Sequence, residues 1–117
     1  MKELLLLLIL CLALCSNLQA QTTHFMQITT IESTVSGGGG RSKMIVTLED
    51  GKQEEVDMAN LFSLLGINFK NIKANDLQIM TALIEFGKQG WKLAATIPLV
   101  PVSDDNSLCM TRYLLTK

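Results

Sequence analysis

The sequence predicts an α+β domain: a small antiparallel sheet of four to five strands, one main amphipathic helix packed on one face, and a short second helix. Three observations carry this expectation. Several stretches are rich in β-branched or aromatic residues and are bounded by glycine, proline, asparagine or aspartate, the pattern of short strands joined by turns. One long stretch, ending at Gln89, separates apolar from polar residues at a helical period. At 117 residues the chain has the length of one domain, so sheet and helix are expected to share a single core.

The elements follow in order along the chain. After Lys2 an unbroken apolar run extends from Leu4 to Cys15, too short for the ~20 residues that span a bilayer and of the length of a secretory signal core. The small Ala20 before Gln21 places the expected cleavage there, giving a signal peptide over 1–20 and one mature domain over 21–117. Two alternatives stand beside it: an uncleaved anchor, and lipoprotein processing at Cys15, where the large Leu14 departs from the small residue that signal prefers. The expected location is therefore periplasmic or secreted, with no membrane span in the mature chain.

His24 to Val35 reads as the first strand, and the "SGGGG" run that follows breaks it. No Lys-Ser/Thr pair completes a phosphate-binding loop there, so a hairpin loop is expected. Met44, Val46 and Leu48 then alternate with polar residues as a half-buried strand. A two-residue Asp50-Gly51 turn would send Val56 to the opposite face. A three-residue loop, Glu49 to Gly51 with Gly51 left-handed, keeps Val56 on the same face and is the expected form.

Asp57 is expected to cap the short second helix, with Met58, Leu61, Phe62 and Leu65 at helical spacing and Gly66 ending it; Ile67 to Lys70 is a candidate edge strand. For the main helix, Asn75 with Gln78 resembles a capping box, and the run ends at Gln89. Counted at about 100° per residue, Phe86, Ile79, Leu83, Gly87, Met80, Ile84 and Leu77 fill one half of the circle, with Gly87 near its centre. Gly87 is thus expected to permit a close approach in the core, so that Gly87→Leu would be destabilising. Gly90 is expected to end the helix in the left-handed region. Trp91 opens a strand in which Trp91, Leu93, Ala95 and Ile97 share one face; the favoured place for the indole is the core, the alternative an exposed stacking platform for a sugar or peptide. A proline-bearing loop from Pro98 to Ser107 leads to a last strand, Leu108 to Lys117.

Composition narrows the function classes. The formal charge is −1, and loss of Lys2 and Glu3 with the signal leaves it unchanged, so no basic face for nucleic acid is implied. Of the three cysteines only Cys109 lies outside the leader, which denies the mature chain an intramolecular disulfide; a buried, inert thiol is favoured. One histidine and one mature cysteine are too few for a zinc site, and Asp104, Asp105 and Asn106 supply too few oxygens for Ca²⁺. No cofactor is expected.

The segment "LIEFGKQGWKLA", followed after a loop by "RYLLTK", resembles the small bacterial family called domain of unknown function 4177. Leu83, Gly87, Gly90, Trp91 and Leu93 match its helix-ending hallmark, with Phe86 where leucine is common, and Tyr113, Leu114 and Lys117 match its closing strand. The resemblance covers about residues 76–117. It implies a helix on an antiparallel sheet and no activity. The roughly forty residues between the first strand and the main helix exceed the usual compact pattern of that family, and whether they extend the sheet or form a flap is left open.

Two functional expectations remain. The first is a non-catalytic exported module that binds an envelope protein, peptide or glycan through the exposed loops, with Arg41, Asp104 and Asp105 as candidate contacts and Gly51, Gly87, Gly90 and Trp91 in structural roles. The second is a small thiol enzyme that uses Cys109 with His24 as base.

Overall fold

The computed structural model describes residues 22–36, 41–99 and 107–117. The signal, lipidation and glycine-loop expectations, and those placed on Asp104 and Asp105, lie outside the described residues.

Five antiparallel strands form the main sheet: β1 (Phe25–Ser33), β2 (Lys43–Thr47), β3 (Gln53–Asp57), β6 (Lys92–Leu99) and β7 (Leu108–Thr116), in the order β3-β2-β1-β7-β6. β4 (Phe62–Ser63) and β5 (Gly66–Ile67) make a separate two-stranded hairpin, and the helix α1 spans Phe69–Lys88. The architecture is α+β, and the segment between β1 and α1 extends the sheet by two strands. Alternation along β1, β2 and β7 turns Met26, Ile28, Met44, Val46 and Leu115 to one face, where with Met58 they form the buried core. Ile79, Ala82, Leu83 and Phe86 of α1 pack onto it, as do Trp91 and Tyr113.

The β2–β3 hairpin has the expected register. Leu48 N–H donates to Lys52 O at 2.8 Å and Gly51 N–H to Leu48 O at 2.9 Å, closing a three-residue loop with Gly51 at φ 83°. Met44 stands opposite Val56, as the three-residue loop requires.

The short second helix does not form. Asp57 ends β3 opposite Lys43 and caps nothing. Beyond it the backbone donors are taken by the strands and by α1: Met58 N–H donates to Ser42 O at 3.0 Å, Ala59 N–H to Asn75 Oδ1 at 2.9 Å, and Leu61 N–H to Ser33 O at 2.8 Å. A helix of two turns has little intrinsic stability, so these tertiary bonds win. Gly66, at φ 108°, belongs to the β4–β5 hairpin, and the expected edge strand at Ile67 to Lys70 is reduced to β5.

The helix begins seven residues earlier than the Asn75 box predicts. Asn68 is the N-cap, its Oδ1 accepting from Asn71 N–H at 3.2 Å. The C-terminus follows expectation: Gln89 is the C-cap, Gly90 has φ 92°, and Gly90 and Trp91 N–H donate to Gly87 O and Phe86 O at 3.0 and 3.1 Å. This pair of bonds is the Schellman arrangement, which needs a residue tolerant of positive φ at Gly90. A Cβ there would also meet Lys117 Cε at 3.3 Å.

The helical phase differs from the expectation by roughly one residue step, ~100°. Asn75, Gln78, Ile79, Ala82 and Phe86 face inward, while Leu77, Met80 and Ile84 are exposed. Apolar count misplaced the face because two polar residues, Asn75 and Gln78, are turned inward to serve the 57–60 backbone. Gly87 is exposed, and a Cβ added to it would meet nothing within 4 Å, so the tight site expected there is absent and Gly87→Leu has no overpacking to suffer. Gly87→Ala is instead expected to raise stability by up to about 1 kcal/mol in urea unfolding, through helix propensity alone. A loss would show that the added methyl meets a neighbour.

Strand β6 also departs from simple alternation. Leu93 pairs with Leu115 but Ala95 with Leu114, a bulge that absorbs Ala94. Leu93 therefore keeps Leu115's face, while Ala95 and Ile97 turn to the opposite one. The single apolar face expected from Trp91 to Ile97 is broken at this point.

Candidate binding surfaces

At the C-terminal end of α1 the helix stop places two aromatic rings together. Phe86, last of the inward helical residues, and Trp91, just past the cap, line an open groove of about 430 Å³ with Leu48, Glu49, Asp50 and Gln89. The Trp91–Phe86 backbone bond holds the two residues close together, and the Gly51 loop brings Glu49 and Asp50 to the same groove. Trp91 is half-buried and packs on the core, the favoured place for the indole, and it also lines the groove. Glu49 Oε1 lies 2.5 Å from His24 Nδ1, and Asp50 Oδ2 lies 3.2 Å from Lys52 Nζ. All four side chains are largely solvent-exposed, so these pairs are exchangeable and worth little on their own. A second cavity of about 390 Å³, lined by Thr22, Thr23, His24, Thr116 and Lys117, also involves His24.

The sequence-predicted residues are distributed as follows. His24 exchanges backbone hydrogen bonds with Lys117 at one end of β1, whereas Cys109 stands opposite Glu32 near the other end. Eight strand residues separate these positions, roughly 27 Å, so the thiol and imidazole are not brought together. Cys109 is exposed, contrary to the expected buried thiol. Among the described residues no group of three or more His, Cys, Asp or Glu gathers as metal ligands. Arg41 is exposed beside the buried Ser42, and Thr34 N–H donates to Ser107 O at 2.9 Å, so the flanks of the two expected contact loops leave the same end of the sheet.

Sequence reasoning missed a polar cluster at that same end. Asn75 Nδ2 donates to Glu32 Oε1 at 2.9 Å and to Ala59 O at 2.8 Å, while its Oδ1 accepts from Ala59 N–H. Ser42 Oγ donates to Asn60 Oδ1 at 2.8 Å and accepts from Ser33 N–H at 2.8 Å, and Asn71 Nδ2 donates to Asn60 O at 2.8 Å. The cluster joins β1, β2, the 58–61 segment and α1. Its amides and hydroxyls are engaged with each other, which is the work of a clasp. The one available signal was the asparagine spacing itself, Asn60, Asn68, Asn71 and Asn75 around a helix start.

Tyr113, the only tyrosine, has its phenol raised above the ordinary value, chiefly by burial, then by the carboxylates of Glu32 and Asp76; a hydrogen bond with Thr30 opposes the shift. A raised folded value means the native state holds this proton more tightly than the unfolded chain. Its contribution is complete below about pH 10 and is lost as pH rises through the higher folded value. Tyr113→Phe should therefore flatten the alkaline loss of stability while changing little of the pH dependence at neutrality, with tyrosinate absorbance as the direct readout in the parent protein.

Among the described residues no helix is long and apolar enough to cross a membrane. Comparison with protein-family models, curated proteins and solved structures found no match.

Proposed function

We propose that the chain is an exported, non-catalytic binding module of the bacterial cell envelope whose groove at Phe86 and Trp91 receives a basic, flexible segment of another envelope protein. The observation that carries this reading is the juxtaposition of aromatic rings with Glu49 and Asp50 around one open groove. An aromatic face attracts a cation, and carboxylates at its rim add charge and hydrogen bonds. The C-terminal carbonyls of α1, ending at the same place, contribute further negative potential. A lysine or arginine of the partner would exchange with His24 or Lys52 at these carboxylates. Export is part of the same proposal and rests on the leader. The resemblance to the 4177 family is compatible with it and assigns no chemistry. The thiol-enzyme alternative gains an accessible Cys109 but has His24 far away.

Trp91 is the only tryptophan, so its fluorescence reports groove occupancy directly. Titration with a lysine- and arginine-rich peptide is expected to change the emission with a salt-sensitive affinity. Glu49→Gln with Asp50→Asn should weaken binding by about tenfold, or ~1.4 kcal/mol, while leaving the fold intact. Saturation by a neutral oligosaccharide, indifferent to those substitutions, would replace this reading with sugar stacking. No change with either ligand would remove the groove as the binding site.

A further inference from the structure

The β4–β5 hairpin ends in a turn whose residues the packing of the domain does not explain. Leu64 and Leu65, its two central residues, are 87% and 100% exposed, and Ile67 and Phe69, on either side of the cap residue Asn68, are 55% and 66% exposed. Turn positions favour glycine, asparagine, aspartate and proline, so two leucines there serve neither the turn nor the core. The tip is nonetheless well held. Leu65 N–H donates to Ser63 Oγ at 3.3 Å, Ser63 Oγ donates to Gly66 O at 3.4 Å, and Asn68 N–H donates to Leu61 O at 2.8 Å at the base. We propose that this hairpin is an interfacial membrane anchor whose leucines enter the acyl boundary of an anionic lipid surface while Lys70 and Lys73 meet its headgroups.

Charge, reach and shape select a lipid layer as the occupant. From Met58 to Asn75 the chain has no acidic residue and two lysines, Lys70 and Lys73, both exposed at the start of α1. Phe69 and Lys73 are four residues apart and share a helix face, with Lys70 next to Phe69. Apolar and basic side chains thus stand side by side, the combination by which interfacial segments hold an anionic surface. The carboxylates that border this stretch are placed elsewhere: Asp57 stands opposite Lys43, Glu32 accepts from Asn75, and Asp76 lies seven residues past Phe69, about 10 Å further along α1. The N-terminal end of α1, with no acid in its first turn, adds positive potential of the same sense. Reach agrees. Three residues of strand lead from the Leu61–Asn68 bond to Leu64, about 10 Å, against the ~5–10 Å to which interfacial segments sink. The Ser63 bond to Leu65 N–H matters there, because a bare N–H carried into lipid is costly. A rigid protein partner would need a pocket shaped to this convex tip, whereas hydrocarbon closes around any shape.

The test places an environment-sensitive fluorophore at the tip through Leu65→Cys, in the full chain with Cys11, Cys15 and Cys109 replaced by serine. Titration with vesicles of phosphatidylglycerol and phosphatidylcholine in equal parts is expected to shift its emission to the blue, shield it from iodide, and do so less readily as salt rises. Because the probe reports the tip, it separates insertion of the hairpin from binding carried by residues 1–20. Adding Leu64→Asp, or Lys70→Gln with Lys73→Gln, should raise the lipid concentration at half-shift by about tenfold. These residues lie outside the core, so thermal unfolding should not fall. A probe that stays in water, one that responds equally to phosphatidylcholine alone, or a titration that neither set of substitutions moves overturns the proposal. So does a blue shift already present without lipid, the sign of a tip covered by a second copy. None of these outcomes bears on the Trp91 groove, which neither leucine lines.

Discussion

Asn75→Leu is expected to destabilise the domain by about 3 kcal/mol, with little change in the urea dependence. Asn75 is only 1% exposed and makes three hydrogen bonds, two to the backbone of Ala59 and one to Glu32. Leucine keeps the branched shape but is larger and offers no polar group, so the loss arises from stranded partners and crowding instead of a cavity. Each buried group left without a partner costs about 1–3 kcal/mol, and relaxation of the 58–61 segment toward solvent recovers part of that sum. Accelerated amide exchange at Ala59 and Leu61, with β7 amides following only the global loss, would locate the effect. A variant as stable as the parent would mean that the clasp is not holding the segment.

Ile28→Ala should cost about 3 kcal/mol for a different reason. Ile28 is 0% exposed, on the central strand β1, between Val46 of β2 and Tyr113 of β7. Truncation removes three carbons from the densest part of the core and leaves a cavity, the combination that typically costs 2–5 kcal/mol. Urea unfolding should show a lower midpoint and an unchanged slope. A loss below about 1 kcal/mol would indicate that α1 collapses onto the vacated space.

The parts of the fold legible in the sequence are those decided within a few residues. Gly51 announced the three-residue loop and hence the β2–β3 register, and Gly90 with Trp91 announced the helix stop, because each signal and its consequence are local. The failures share the opposite property. Met58 to Gly66 carries a helical apolar pattern, yet its backbone donors go to Ser42, Ser33 and Asn75, residues distant in sequence. Asn75 looked like a cap because asparagine favours caps; only the arrival of Ala59 beside it makes a buried mid-helix asparagine favourable. Once Asn75 and Gln78 turn inward, the same rotation carries Leu77 and Ile84 out, so one tertiary hydrogen-bond set explains both errors. Ala94 has no feature that marks it as the residue a bulge would absorb. The groove is half legible: Trp91 stands out in the sequence, but Glu49 and Asp50 carry only the marks of a loop.

The borders of the sheet have a bearing on how this chain behaves when crowded. β3, at one border, carries Glu54, Glu55 and Asp57 in a strand of five residues, all exposed. β6, at the other, contains Pro98, which has no N–H to offer, and the kink at Ala94. A second sheet approaching either border would meet concentrated negative charge on one side and a broken row of donors on the other. Growth into an open-ended ribbon of shared sheet is thus opposed at both ends. Concentrated samples should accordingly stay free of fibrils, and neutralising the acidic border by Glu54→Val with Glu55→Thr is the change most apt to remove that protection.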